Sequence, residues 1–230
     1  MASNYWKDYW SKLHNPESAD LQVQVARTRM GNPIAHEPWI QTVEYVKNLL
    51  SLKSSDVFLD ACGGNGLFAS QFETLCKKTV VVDVNAELLS NLKKRSPEIN
   101  VVNSDLIEFL EISEEKFDKI LFYAGIQYFS EHEVLHILNK YMNLLNPGGI
   151  LLIGDIPDLG SRDSFLANDG RFTRYFDNLR EGKETIGTWF SYQWISALSN
   201  YLGFESCELH IQPEFQIYSD FRFDVVIRKR

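Results

Sequence analysis

The chain has 230 residues, with 23 Lys+Arg against 31 Asp+Glu and a formal net charge of −8. Its length suits one α/β domain with a small appendage, and an apolar fraction of 44% excludes a disordered chain. The acidic balance argues against a nucleic-acid partner, because a phosphate backbone is bound by Lys and Arg that displace its counterions.

Residues 1–50 read as helical. Tyr5, Trp6, Tyr9, Trp10 and Leu13 recur at three- and four-residue spacing and share one face. A second helix is predicted over 18–30, ending near Gly31-Asn32-Pro33. A third begins at His36-Glu37-Pro38, since Pro is tolerated in a first turn. Its apolar stripe is Trp39, Val43, Val46, Leu49 and Leu50.

From 54 to 155, short apolar strands alternate with amphipathic helices. Strands are predicted at 57–60, 79–83, 99–102, 119–123 and 150–154, and helices at about 67–76, 86–95, 106–110 and 131–145. Apolar strands with helical crossovers imply a parallel sheet covered on both faces. Residues 156–190 carry Gly160, Gly170, Gly182, Gly187 and many charges, and read as a long insertion with some helix. A helix at 191–202 and strands within 205–211 and 215–228 close the chain.

Cys62, Cys76 and Cys207 are odd in number and form no CxxC pair. A disulfide framework or a zinc site is therefore not expected, and a reducing, cytoplasmic setting is. No apolar run nears the ~20 residues of a membrane span. Residues 1–15 lack the apolar core of a secretory signal. His132 and His136 share a helix face but have no evident third ligand, so no metal is expected.

The sharpest motif is Val57-Phe58-Leu59-Asp60-Ala61-Cys62-Gly63-Gly64-Asn65-Gly66-Leu67, a strand, a glycine turn and a helix. In an open parallel sheet, ligands bind beyond the carboxyl ends of the strands. Gly64-x-Gly66-x-x-Ala69 fits a dinucleotide fingerprint. Asp60 opposes that ligand, because its carboxylate would repel a pyrophosphate at the helix N-terminus. The same carboxylate suits a ligand with ammonium and sulfonium groups. Asp83 ends the second strand, where an acid can accept ribose hydroxyls. Asp105 follows the third strand, and Asn146-Pro147-Gly148-Gly149 is a tight turn feeding the fifth.

In order and approximate spacing these motifs, with Phe117-Asp118-Lys119-Ile120, resemble the class I S-adenosylmethionine-dependent methyltransferases of small-molecule type. The resemblance covers about residues 45–155. It implies a doubly wound, Rossmann-like sheet of seven strands, order 3-2-1-4-5-7-6, with strand 7 antiparallel. The whole of 1–230 is then one methyltransferase domain: 1–50 a helical lid or extension, 54–155 the cofactor core, and 156–190 a substrate-side insertion. The resemblance implies S-adenosylmethionine as cofactor. Asp60, Cys62, Gly63 and Gly64 would hold its methionine part, Asp83 and Val84 the ribose, Asp105 and Leu106 the adenine, with Tyr123 nearby. The chain departs from the family loop at Cys62, where glycine is usual.

Methyl transfer from an activated donor needs positioning above all, and a base only where the acceptor must lose a proton. Asp155, closing the fifth strand, and His36, on a helix that folds over the site, are the candidate bases. Gln127, Tyr128, Trp189 and Tyr192 are candidates to contact the acceptor, a small molecule such as a sugar or another secondary metabolite methylated on O or N. Two alternatives stand beside this reading: an NAD(P)-dependent oxidoreductase, for which no Tyr-x-x-x-Lys pair is present, and a catalytically silent S-adenosylmethionine-binding protein. A membrane or nucleic-acid partner is not expected.

Overall fold

The computed structural model describes residues 4–12, 18–29, 31–168, 170–183 and 186–230. Leu13, the last residue of the first aromatic stripe, lies outside them. Seven strands form one sheet: β1 Val57–Ala61, β2 Lys78–Asp83, β3 Asn100–Asn103, β4 Phe117–Tyr123, β5 Leu145–Pro157, β6 Ser206–Ile211 and β7 Arg222–Arg228. Their order is β3-β2-β1-β4-β5-β7-β6. The first five run parallel, and β7 is antiparallel to both its neighbours. This is the order and the single reversal that the sequence resemblance implied.

Ten helices accompany the sheet among the described residues: α1 Asn4–Lys12, α2 Leu21–Gln24, α3 His36–Leu50, α4 Ala69–Phe72, α5 Ala86–Arg95, α6 Leu106–Ile112, α7 Glu131–Leu144, α8 Arg162–Leu166, α9 Arg171–Arg180 and α10 Tyr192–Tyr201. Strand residues alternate between two cores. Leu59, Ile120 and Phe122 face α6, α7 and α10, whereas Phe58, Leu121 and Tyr123 face α3, α4 and α5. The core helices α5, α6 and α7 each start on a side-chain cap. Asn85 and Asp105 accept backbone N–H groups of α5 and α6, and Ser130 with Glu133 closes a capping box on α7. No helix among the described residues is long and apolar enough to cross a membrane.

Four expected elements differ. The helix over 18–30 is reduced to α2, because Ala26 turns left-handed (φ 52°) and residues 28–29 pair back on 32–33. Tertiary contacts override the local pattern here: Asn65, buried in the glycine loop, donates to Leu21 O (2.8 Å) and Gln24 Oε1 (2.9 Å). The helix expected at 67–76 is only α4 followed by one 3₁₀ turn, Glu73–Leu75. Strand β5 is longer than 150–154, and Asn146-Pro147-Gly148-Gly149 lies inside it as a bulge against Phe117 and Lys119. The last strand begins at Arg222 rather than within 215–221, a stretch of turns that brings Tyr218 and Phe221 to the sheet edge.

Candidate active site

A cavity of about 680 Å³ opens at the carboxyl ends of β1, β2, β3, β4 and β5, large enough for a nucleoside and a small co-substrate. Three neighbouring strands reach it through a non-glycine residue in the left-handed conformation: Cys62 after β1 (φ 57°), Ala124 after β4 (φ 53°) and Asp155 in β5 (φ 60°). Each such residue costs about 1–2 kcal/mol. Their clustering at one rim marks where the fold spends stability on shape.

One half of the cavity is built on the glycine loop. Gly63 N–H donates to Val82 O (3.1 Å), and Gly64 N–H donates to Asp83 Oδ2 (2.9 Å), tying the loop to β2. A Cβ on Gly63 would stand 2.8 Å from Asp60 Cγ, so the backbone lies against that carboxyl group as no other residue could. Asp60 is 3% exposed and lines the cavity. Burial, aided by nearby Asp83, pushes its pKa up to about 7. Asp83 is likewise raised by burial while it accepts from Asn85 N–H (2.8 Å). Asp105 caps α6 and lies 3.7 Å from Lys7 Nζ, on the aromatic helix α1.

Arg27 borders this half and was not anticipated from the sequence. Its guanidinium lies 5.3, 5.6 and 5.9 Å from the rings of Tyr123, Trp39 and Phe68. The residue is 6% exposed, and its Nε and Nη2 have no hydrogen-bond partner among the described residues. The only sequence signal was a cation in a stretch read as helix; the left-handed turn at Ala26 aims it inward.

The other half is built on β5 and β7. Asp155 is 2% exposed and lines the cavity. Arg222 Nη1 donates to Asp155 O (2.6 Å) and lies 3.3 Å from Asp155 Oδ2. Asp155 N–H donates to Asp224 Oδ1 (2.7 Å), and Gln212 Nε2 donates to both Asp224 Oδ1 (2.8 Å) and Asp155 Oδ1 (3.3 Å). Tyr123 Oη donates to Gln216 Oε1 (2.6 Å), whose amide reaches Asp224 Oδ2 (3.4 Å). Burial pushes the pKa of Asp224 up to about 6.

The cavity brings together Asp60, Cys62, Gly63, Gly64, Asp83, Val84, Asp105, Leu106, Tyr123, Gln127, Tyr128 and Asp155. Gln127 donates through Nε2 to Ala124 O (2.8 Å), leaving Oε1 buried without a partner among the described residues. Tyr128 stacks against Trp6 and Trp10 of α1, ring centres 4.8 and 5.4 Å away. Burial pushes the Cys62 thiol well up, aided by Asp83, Asp105 and Asp60, so it stays protonated and is a poor nucleophile.

Three expected residues stand elsewhere. His36 is exposed at the first position of α3, a full turn beyond Trp39, the first buried residue of the stripe. Trp189 packs on Phe165 and Phe221 (5.5 and 6.1 Å), behind the wall rather than in it. Tyr192 opens α10 and donates to Cys207 O (2.9 Å). Among the described residues of 156–190, Ile186 lines the cavity.

Residues 58–149 match the family described as "Methyltransferase domain". Among solved structures, the chain resembles magnesium protoporphyrin IX methyltransferase ChlM from Synechocystis PCC 6803 with bound S-adenosylhomocysteine. The identity is 9% over all of both chains, with a TM-score of 0.66. It also resembles the N-methyltransferase NodS from Bradyrhizobium japonicum WM9 (16% identity, 84% of this chain and 97% of that one, TM-score 0.59). At such identities the likeness speaks for the fold. Chondramide synthase CmdD of Chondromyces crocatus is 28% identical over 139 residues, 56% of this chain. The chain spans only 3% of that protein's length. The sheet order is that of the class I methyltransferase fold, and residues 58–149 match the methyltransferase-domain family.

Proposed function

We propose that the protein transfers the methyl group of S-adenosylmethionine to an oxygen or nitrogen of a small molecule. The observation that carries this reading is Asp60. A buried carboxyl group with a pKa near 7, pressed against a glycine cradle, has no ion-pair partner among the described residues, and a ligand bearing an ammonium and a sulfonium supplies one. Arg27 has the free N–H groups for that ligand's carboxylate, and Asp83 keeps lone pairs for ribose hydroxyls. Asp105 and Leu106 stand where the adenine would lie. A pyrophosphate would meet Asp60 with like charge, which disfavours a nicotinamide cofactor. Cys62 adopts the left-handed conformation glycine would take, so the loop keeps its turn and the silent-protein reading loses its main ground.

When bound, S-adenosylmethionine supplies a methyl group already activated for in-line displacement. The chain positions the acceptor for it. Asp155 accepts the hydrogen bond of the acceptor's O–H or N–H and takes its proton. Gln127 Oε1 offers a second acceptor on the same wall, and Tyr128 with Trp6 and Trp10 covers the mouth. In this reading residues 1–50 and 156–190 border the acceptor, and the protein works in the cytoplasm, where its three free cysteines stay reduced. No nucleic acid is required, since the cavity rather than a basic face recognises the acceptor. The test is calorimetry with S-adenosylmethionine and S-adenosylhomocysteine, followed by radiolabelled methyl transfer into a small-molecule extract. Saturable binding of both and label in a low-mass product are expected. No binding at millimolar ligand overturns the reading.

A further inference from the structure

Two guanidinium groups face this cavity, one more than the donor's single carboxylate requires. Arg27 sits on the glycine-loop side, over Tyr123 and Phe68. Arg222 sits across from it, on Asp155, with its guanidinium 5.1 and 5.4 Å from the rings of Tyr218 and Phe221. Tyr218 separates the two: its ring lies against Arg222, while its hydroxyl donates to Thr28 O (2.7 Å), next to Arg27. The Arg222 side chain is 9% exposed. Its Nη1 is used on Asp155, but its Nε is buried without a hydrogen-bond partner among the described residues. A buried, unpaired N–H of a guanidinium is costly in water's absence and is relieved by an oxyanion.

The remaining unpaired groups on the wall point the same way. Among the described residues, Trp10 Nε1 is a further buried donor without a partner, and Gln127 Oε1 is a buried acceptor without one. With Asp60 and Asp83 engaged by the methyl donor, the acceptor side of the lining thus offers more open donors than acceptors. Asp155 does not remove this demand, because its two oxygens already receive Arg222 and Gln212.

We propose that the methyl acceptor carries a compact oxyanion, a carboxylate or a phosphate, which Arg222 anchors beside Asp155 while Arg27 holds the donor's own carboxylate. This rests on the methyltransferase reading and names the acceptor class within it. The overall acidity of the chain does not conflict, since the anion would be met by one guanidinium inside the cavity, Arg222, and not by a basic surface. Anchoring there would set the acceptor's distance from the methyl group without spending Asp155 on orientation.

The test uses the complex with S-adenosylhomocysteine. Titration of that ligand alone comes first: if the wild type fails to bind it, the methyltransferase reading fails and not the anion site. The loaded protein is then titrated with benzoate, inorganic phosphate and benzamide. At least one anion should bind about tenfold or more tighter than benzamide, the scale of one charge-assisted hydrogen bond. Tight benzoate identifies a carboxylate acceptor, and tight phosphate a phosphorylated one. Arg222→Gln should erase the preference and Arg222→Lys should keep it in weakened form, with S-adenosylhomocysteine affinity within about twofold of wild type in both. Equal weak binding of both anions and benzamide by the wild type overturns the proposal even if neither variant folds. So does an anion preference that survives in Arg222→Gln.

Discussion

The two halves of the cavity are built by different means. The glycine-loop half comes from residues 60–106, and most of its contacts are made by backbone groups at strand-to-helix turns. Gly63 and Gly64 donate to β2, and Asp83 and Asp105 each accept N–H groups of the turn they close. The other half draws on Tyr123, Gln127, Asp155, Tyr218 and Arg222, some 100 residues of chain, held by side chains bonded to one another and to backbone carbonyls. Local backbone geometry suits an invariant ligand part; a side-chain network can be re-cut for a new acceptor without disturbing the fold. The comparison predicts that lesions in the first half damage donor affinity and lesions in the second damage turnover.

The largest separation is expected at Asp155. Asp155→Asn should lower the rate of methyl transfer by about 10²–10⁴-fold, the usual contribution of a positioned proton acceptor. S-Adenosylhomocysteine affinity, measured on the same sample, should hold and shows that the variant is folded. A parallel loss of donor affinity would mean that the two halves are one energetic unit.

On the donor side, Arg27→Gln and Asp83→Ala should each weaken S-adenosylmethionine binding by about 1.5–3 kcal/mol, as for hydrogen bonds to charged groups. Calorimetry reads this directly. In Asp83→Ala part of the loss is indirect, because Gly64 N–H loses its acceptor. An Arg27 variant with wild-type donor affinity but altered acceptor use would move Arg27 into the acceptor half.

These two halves were not equally legible in the sequence. The glycine turn, Asp60, Asp83 and Asp105 follow strand ends at readable intervals, so the motif and the site coincide. Five parallel strands could be read because each is an apolar run, and α5, α6 and α7 because each follows its own cap, whereas the uncapped α4 is shorter than its apolar run. Arg27 and Arg222 could not. The first points inward only because Ala26 turns left-handed where the periodicity continued a helix. The second faces Asp155 only because β7 runs antiparallel to β5, a pairing of residues far apart in sequence. Trp189 and Tyr192 were drawn toward the site by their aromatic character, yet that character is used for packing on Phe221 and for a bond to Cys207.

A pH titration separates the halves more finely. Asp60 is near its midpoint at about pH 7 in the unliganded fold, with Asp83 and Cys62 as its titratable neighbours. An unfolded aspartate ionises near pH ~4, so the folded chain holds the extra proton between these values. Asp60 therefore contributes stability at low pH that is lost as pH rises through about 7, and Asp224 adds the same sign up to about 6. A cationic donor binds the ionised form. Its affinity should rise by up to about tenfold per pH unit below 7 and level off above. The heat of binding near pH 6.5, roughly the region where Asp60 is still largely protonated, should track the buffer's ionisation enthalpy as a proton is released. Affinity that stays flat from about pH 6 to 8 would remove Asp60 as the cation's partner.

The smallest effect is expected at Cys62, and it tests what kind of residue stands there. At φ 57° a cysteine bears a steric cost that glycine does not, about 1–2 kcal/mol. Cys62→Gly removes that cost but gives up a half-buried CH₂–SH group, about 0.8 kcal/mol, and adds freedom to the unfolded chain worth about 0.4–1 kcal/mol. The terms nearly cancel, so denaturant midpoints should move by less than about 1 kcal/mol and donor affinity should hold. Cys62→Val keeps the bulk but puts a β-branched side chain in the left-handed region, and should destabilise by about 2 kcal/mol more. If Cys62→Gly were stable and bound donor yet lost methyl transfer, the thiol would be doing chemistry that its buried, protonated state argues against. If Gly and Val behaved alike, the backbone turn at Cys62 would not be what shapes the rim.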